Sequence, residues 1–143
     1  MSDGSAAAHA DGTRAKVRWL TDVGLQRWRA PELHLVHLRS DLTPADIPNY
    51  CDSLAVVGVL FDVNEDADDV APALTSTITD GLKNIISKGD STPISPLYLE
   101  SLLPKKRDFY RYLGSLTTPG CNEVVVWTVY RSTLTVSAAQ VKR

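Results

Sequence analysis

Side chains between Glu32 and Leu38, ELHLVHL, alternate in two sets, and this period of two predicts a strand on which Glu32, His34 and Val36 share one face. Leu54 to Val63 is a continuous valine-rich apolar run, too short for a typical helix and followed by polar residues, so it predicts a strand buried on both sides. Between Asp68 and Ser87 the spacing changes. Val70, Leu74, Ile78, Leu82, Ile85 and Ile86 recur at three- and four-residue steps, with Gly89 just beyond as a stop signal, which predicts a helix whose apolar stripe packs on the sheet. Pro93, Pro96 and Pro104 break up the next stretch, leaving Leu97 to Leu103 as a short helical turn. Phe109 to Leu113, Glu123 to Tyr130 and Leu134 to Val136 complete the strands, on their β-branched and aromatic content. The result is α+β and mainly β, a sheet with a few helices on its surface.

Ahead of this pattern, residues 1 to about 13 (MSDGSAAAHADGT) are small and polar with no periodicity and are expected to be disordered. Arg14, Lys16, Arg18, Arg27 and Arg29 make the next stretch locally basic, a solvated lead-in rather than an anionic-surface contact. Residues 1–30 are thus read as a divergent lead-in and 31–143 as the domain. At 143 residues one core is the default. A formal charge of −2 gives no whole-chain attraction for nucleic acid or acidic lipid, and the longest apolar runs fall far short of a membrane helix. No signal peptide is visible, so the chain as written is expected to be soluble and cytoplasmic, and secreted if its true N-terminus lies upstream. Two cysteines, Cys51 and Cys121, are too few for a disulfide framework or a Cys-rich zinc site.

Read residue by residue, candidate chemistry is sparse. His34 and His37 fall on opposite faces of a strand and cannot share a metal. A single histidine on a half-buried strand is more often a hydrogen-bonded structural residue than a ligand. Glu32 raises His34 above that, because a carboxylate beside an imidazole is the usual device for fixing a metal-bound tautomer. Glu65, Asp66, Asp68 and Asp69 suit the start of the predicted helix and lack calcium-loop spacing. Ser115, Thr117 and Thr118 in GSLTTPG serve as turn hydroxyls on this reading. There is no G-x-S-x-G, P-loop, dinucleotide fingerprint or H-E-x-x-H.

PELHLVH (31–37), LAVVGVLF (54–61), ESLLP (100–104), FYRYLGSLTTPGCNEVVVWTV (109–129) and LTVSAAQ (134–140), in this order and spacing, resemble an alpha-carbonic anhydrase. The resemblance covers roughly Pro31 to Gln140 and about the middle of the family's usual domain. It implies a partial version of that fold, with a central, twisted, largely antiparallel sheet, and an activity, the reversible hydration of carbon dioxide to bicarbonate by zinc-bound hydroxide. It implies that His34 is the third of three zinc histidines, Glu32 its orienting carboxylate and Thr117 the acceptor of a hydrogen bond from the hydroxide. Thr118 matches a neighbouring polar contact, and Val36, Val56, Leu116, Val125 and Trp127 match the apolar wall that holds carbon dioxide. In this family a three-imidazole zinc brings the pKa of its water into the neutral range, a known property of these enzymes and not one derived from this chain.

The departures set the functional expectation. The family's first two zinc histidines lie on a His-x-His strand upstream of PELHLVH, and nothing between Met1 and Ala30 resembles it; His9 is the only histidine there. The glutamate that receives the Thr117 hydroxyl proton has no match either, an ungapped count landing on Thr21. One imidazole cannot hold zinc tightly, so the chain as given is expected to be inactive, with carbon dioxide or bicarbonate as its small-molecule partner if active. The alternative is a non-catalytic relative that keeps the pocket wall as an interaction surface. Cys121 matches one half of a disulfide of secreted members, Cys51 has no counterpart, and Gly120, where many members carry proline, is expected only to loosen its turn. The residues set no oligomeric state.

Overall fold

The computed structural model describes residues 2–10, 13–21, 31–64, 78–82, 84–85 and 91–138, the first two stretches through their backbone pairing. Among these described residues seven strands run β1 (Ser2–Ala10), β2 (Thr13–Thr21), β3 (Glu32–Leu38), β4 (Leu54–Asn64), β5 (Phe109–Gly114), β6 (Val125–Tyr130) and β7 (Leu134–Ser137). Their order across the sheet is β1-β2-β3-β4-β6-β5, with β7 pairing the C-terminal end of β4. The β1–β2, β2–β3, β3–β4 and β5–β6 pairings are antiparallel, whereas β4 is parallel to both β6 and β7. The sheet is therefore mixed but largely antiparallel. Parallel pairing needs a long crossover, which the connection from Asn64 to Val125 supplies.

Alternation along the central strands divides the apolar residues between two faces. Leu33 and Leu35 of β3, Val59 and Phe61 of β4, Val136 of β7, Ile78 and Leu102 form the rear core, with Val57 and Leu134 packed against it. The front cluster holds Leu54 and Val56 of β4, Val125 and Trp127 of β6, and Val124, joined by Val36, Leu38, Ile47, Leu116 and Val129. Full burial of each such side chain contributes roughly 1.5–3 kcal/mol, so β3 and β4, which feed both faces, are the axis of the fold.

Three expectations need correction. Residues 1–13, expected to be disordered, include β1, and β2 occupies 13–21; the physical reason is the open edge of β3, whose backbone groups pair with β2 from Leu20↔Glu32 to Lys16↔Val36. β4, expected to be buried on both sides, exposes Ala55 near its start and Asp62 to Asn64 at its end, while the residues between are buried or half-buried, so the double burial covers only the middle of the strand. The strand predicted from Glu123 starts at Val125, because Val124 N–H turns back to Asn122 O at 3.0 Å.

Of the predicted helix, Thr79–Leu82 is helical (α1) and Ile78 joins the rear core, but Asn84 lies in a turn whose N–H donates to Gly81 O at 3.1 Å and Ile85 is not helical, so the helix stops short of the expected end; residues 68–77, 83 and 86–87, Gly89 and the acidic group at 65–69 lie outside the described residues. The short helical turn expected within 97–103 is a 3-10 turn at Leu99–Leu102. A second 3-10 turn, Pro44–Asn49, leads toward β4. At the far edge β5 exposes Tyr110 (60%) and Leu113 (70%). Guanidinium groups lie over its aromatic rings, Arg111 at 5.4 Å from Phe109 and Arg131 at 5.5 Å from Tyr110, which blunts an otherwise apolar edge. No helix among the described residues is long and apolar enough to cross a membrane.

Candidate functional site

The front face is organised in register rows. Val36, Val56, Trp127 and Tyr112 align across β3, β4, β6 and β5; His34, Gly58, Val129 and Tyr110 form the adjacent row; Leu38, Leu54, Val125 and Gly114 form the row on the other side. Cross-strand partners share a face. The five apolar positions singled out from the sequence, Val36, Val56, Leu116, Val125 and Trp127, consequently meet in the one front cluster.

His34 is buried, at 6% exposure, and its Nε2 lies 3.0 Å from Glu32 Oε2. A carboxylate accepts, so Nε2–H donates and Nδ1 is the nitrogen left for another partner. The two residues are two apart on an extended strand, which is why both side chains reach the same side. Trp127 stands edge-on to the imidazole, with centroids 4.9 Å apart and planes at 71°, and stacks on Tyr112 at 6.3 Å. His37, in register with Ala55, takes the alternate position along β3, as its spacing from His34 predicts.

The threonine loop is fastened at both ends. Trp127 Nε1–H donates to Ser115 O at 3.1 Å, and Leu116 N–H donates to Asn122 O at 2.9 Å. Leu116 enters the front cluster, Thr117 beside it is exposed and Thr118 half-buried. Within the loop Cys121 N–H donates to Thr118 O at 2.9 Å, closing a turn with Pro119 second and Gly120 third, where φ is +106°. That is type II turn geometry, which calls for glycine at the third place. The expectation that Gly120 merely loosens the turn is thus corrected.

Two glycines that the sequence did not flag also shape the site. Gly58 is the β4 partner of His34, and Gly114 leaves room for the indole: a Cβ there would lie 3.0 Å from Trp127 Cδ1 and 3.1 Å from Tyr112 Cε2. Only the strand pairing reveals either contact. Below the cluster, Arg39 joins Asp41 (2.8 Å) and Asp52, and its N–H donates to Ser53 O. The bond from Arg39 holds the Asp41 carboxyl below its ordinary pKa. The Asp46 carboxyl is lowered by bonds from the Thr43 hydroxyl (2.6 Å) and backbone N–H (2.9 Å).

With this geometry in place, the comparisons with known proteins are specific. The profile of the eukaryotic-type carbonic anhydrases matches residues 25–143. The chain belongs to that family. It is 38% identical over 114 residues to human carbonic anhydrase 12, covering 78% of this chain and 31% of that protein. Against mouse carbonic anhydrase 15 it is 39% identical over 115 residues, 77% of this chain and 34% of the relative. Bovine carbonic anhydrase 3 is 34% identical over 115 residues, 80% and 42% respectively. The chain thus spans between 31% and 42% of the length of these carbonic anhydrases.

Carbonic anhydrases are generally zinc enzymes, which prompts a test of fit. Zinc in a catalytic site takes three protein ligands and keeps one open position. Among the described residues no three His, Cys, Asp or Glu groups gather where they could hold a metal ion. The cross-strand partners of His34 are Arg18 in β2 and Gly58 in β4, neither of which is a ligand type for zinc. His9 lies in β1, in register with Arg14 of β2, two strands from β3 and four residues along from the Arg18 row. Strand spacing near 4.8 Å and a rise near 3.3 Å per residue separate its Cα from that of His34 by about 16 Å, too far for both imidazoles to meet one ion. The donors among the described residues do not make up the three-ligand set of the family's zinc.

Proposed function

We propose that this 143-residue chain keeps the carbon-dioxide wall and one ligand strand of a carbonic anhydrase but does not itself hydrate carbon dioxide. The observation that carries this reading is the pairing of His34 with Arg18 on one side and Gly58 on the other. A zinc ion at Nδ1 of His34 would have one protein ligand and would draw the rest of its shell from water, which supports neither tight binding nor a sharpened hydroxide. On the family reading, Glu32 fixes the His34 tautomer, Thr117 orients the attacking oxygen, Thr118 is its polar neighbour, and Val36, Val56, Leu116, Val125 and Trp127 hold the apolar substrate. Without the metal these residues retain shape and lose the nucleophile.

The test is zinc per mole of purified chain, measured together with sulfonamide-sensitive carbon dioxide hydration. The reading expects substoichiometric zinc and no hydration above the uncatalysed rate. One tightly bound zinc per chain with sulfonamide-sensitive turnover refutes it.

A further inference from the structure

β5 ends the strand order, so one of its sides has no neighbour among the described residues, and every residue from Phe109 to Leu113 is exposed. The open side leaves main-chain groups as well as side chains. Arg131 N–H donates to Asp108 O at 2.9 Å, which continues the β5–β6 register in which Phe109 pairs with Tyr130. Hydrogen-bonded and non-hydrogen-bonded pairs alternate along an antiparallel ladder. Tyr110 and Tyr112 therefore turn their N–H and C=O groups toward β6, while Phe109, Arg111 and Leu113 turn theirs outward to the open side.

What this edge offers an incoming strand is apolar and not charged. Phe109, Tyr110, Tyr112 and Leu113 are all about half exposed or more. Arg111 is the only charged residue within β5, and its guanidinium already lies over the Phe109 ring; Arg131 lies over Tyr110, and Arg107 bonds to Glu100 at 3.1 Å. These cations cover ring faces and leave the main-chain edge open, so the strand that complements it is one rich in aromatic and aliphatic side chains. β5 itself is such a strand.

We propose that β5 pairs antiparallel with β5 of a second copy of this chain, about a two-fold axis through Arg111 that joins the two sheets into one. An axis perpendicular to the sheet keeps each face on its own side, so outward-turned residues meet outward-turned residues. Centred on Arg111, the register sets Phe109 opposite the partner's Leu113 and Tyr110 opposite the partner's Tyr112, and it satisfies the N–H and C=O groups of Phe109, Arg111 and Leu113 in both copies. A shift centred on Tyr110 or Tyr112 would leave the outward groups of one of the three without a partner in β5. The one like-charge pair, Arg111 with its copy, is eased because each guanidinium leans toward its own Phe109, and antiparallel strands carry those rings in opposite directions. Aromatic rings of roughly 150–250 Å2 each, about half exposed, give on the order of 600 Å2 of ring surface between two copies. That is small beside the roughly 1,200–2,000 Å2 of stable complexes, so the dimer is weak and depends on protein concentration.

The experiment is sedimentation equilibrium of the purified 143-residue chain over a wide concentration range, with Arg111→Pro and Leu113→Lys beside it. The unsubstituted chain should follow a monomer–dimer isotherm. Because Arg111 N–H turns away from β6, proline there removes no bond of the β5–β6 ladder and only the bonds to the second copy, and it should weaken association by about tenfold or more while the circular dichroism spectrum is unchanged. Leu113→Lys should weaken association as well, since it sets an ammonium against the partner's Phe109, and as a change at an exposed position it decides the matter if the proline variant misfolds. For the register, Arg111→Cys in a Cys51→Ser, Cys121→Ser background should cross-link two copies through the introduced thiol under mild oxidation, because Cα atoms of a hydrogen-bonded pair stand about 5.5 Å apart, within disulfide range. A chain that stays monomeric at every concentration, a dimer of unchanged affinity in both edge variants, or a dimer that forms no such cross-link would overturn the proposal.

Discussion

Trp127 meets the imidazole of His34 edge-on at 4.9 Å while its indole N–H is donated to Ser115 O at the base of the threonine loop. One side chain therefore couples β3, β6 and the loop that carries Thr117. Trp127→Ala should destabilise the fold by about 3–5 kcal/mol, through lost burial and the cavity left behind. Trp127→Phe keeps much of the packing and strands the Ser115 carbonyl, and should cost less, about 1–3 kcal/mol. Urea unfolding followed by circular dichroism checks both; equal losses would mean that the hydrogen bond, and not the ring, anchors the loop.

Gly120 has φ +106°, and Cys121 follows with φ 43°, so two successive residues leave the right-handed regions to bring the loop back to Val124. Gly120→Ala should cost about 1–2 kcal/mol, because a Cβ is disfavoured there. Gly120→Pro should cost more, since proline fixes φ near −65° and cannot take up this turn. Thermal midpoints of the two variants give the order. A proline variant as stable as the parent would show that the loop has a second conformation of similar energy.

Sequence periodicity located β3 from Glu32 to Leu38 to the residue, because alternation there is undisturbed and the strand lies central. Clustering of Val36, Val56, Leu116, Val125 and Trp127 was also legible, since period two puts members of one strand on one face and the family resemblance joined the strands. What the sequence withheld is pairing. Nothing in the composition of residues 2–21 marks them as strands, and their order rests on the open edge of β3. Likewise Gly58 and Gly114 acquire meaning only as neighbours of His34 and Trp127. The conformation that makes glycine necessary at 120 is a backbone angle, and the residue alone did not disclose it.

Asp46 ties the start of the 3-10 turn to Thr43, and both bonds favour its ionised form. A folded-state pKa below the unfolded value, about 3.9 for aspartate, means that this contribution is fully present above the unfolded pKa and is lost as pH falls through the folded one. Asp41, lowered by Arg39, acts in the same direction. Both carboxyls are exposed and screened, so the effect is small. Asp46→Asn should flatten the decline in stability below about pH 4 and leave its slope near neutrality unchanged. Urea midpoints across that range, at low and high salt, measure it; an unchanged acid limb would remove Asp46 from the account.

The register of β2 gives the inactivity reading its most demanding test. Arg18 is the cross-strand partner of His34, and Lys16 that of Val36, one step along the same face. Lys16→His together with Arg18→His would set two imidazoles at alternate positions on β2 next to the one on β3, leaving the Leu20↔Glu32 row intact so that Glu32 can still orient His34. Three imidazoles on one side of two paired strands match the donor count of a catalytic zinc centre. The double variant should bind one zinc per chain where the parent does not, and its cobalt derivative should show the intense visible absorption of a tetrahedral ion. His34→Ala in that background should abolish both signals. If the double variant retains no more metal than the parent, then the pairing of β2 with β3 does not bring these positions to His34, and the register argument behind the inactivity reading fails.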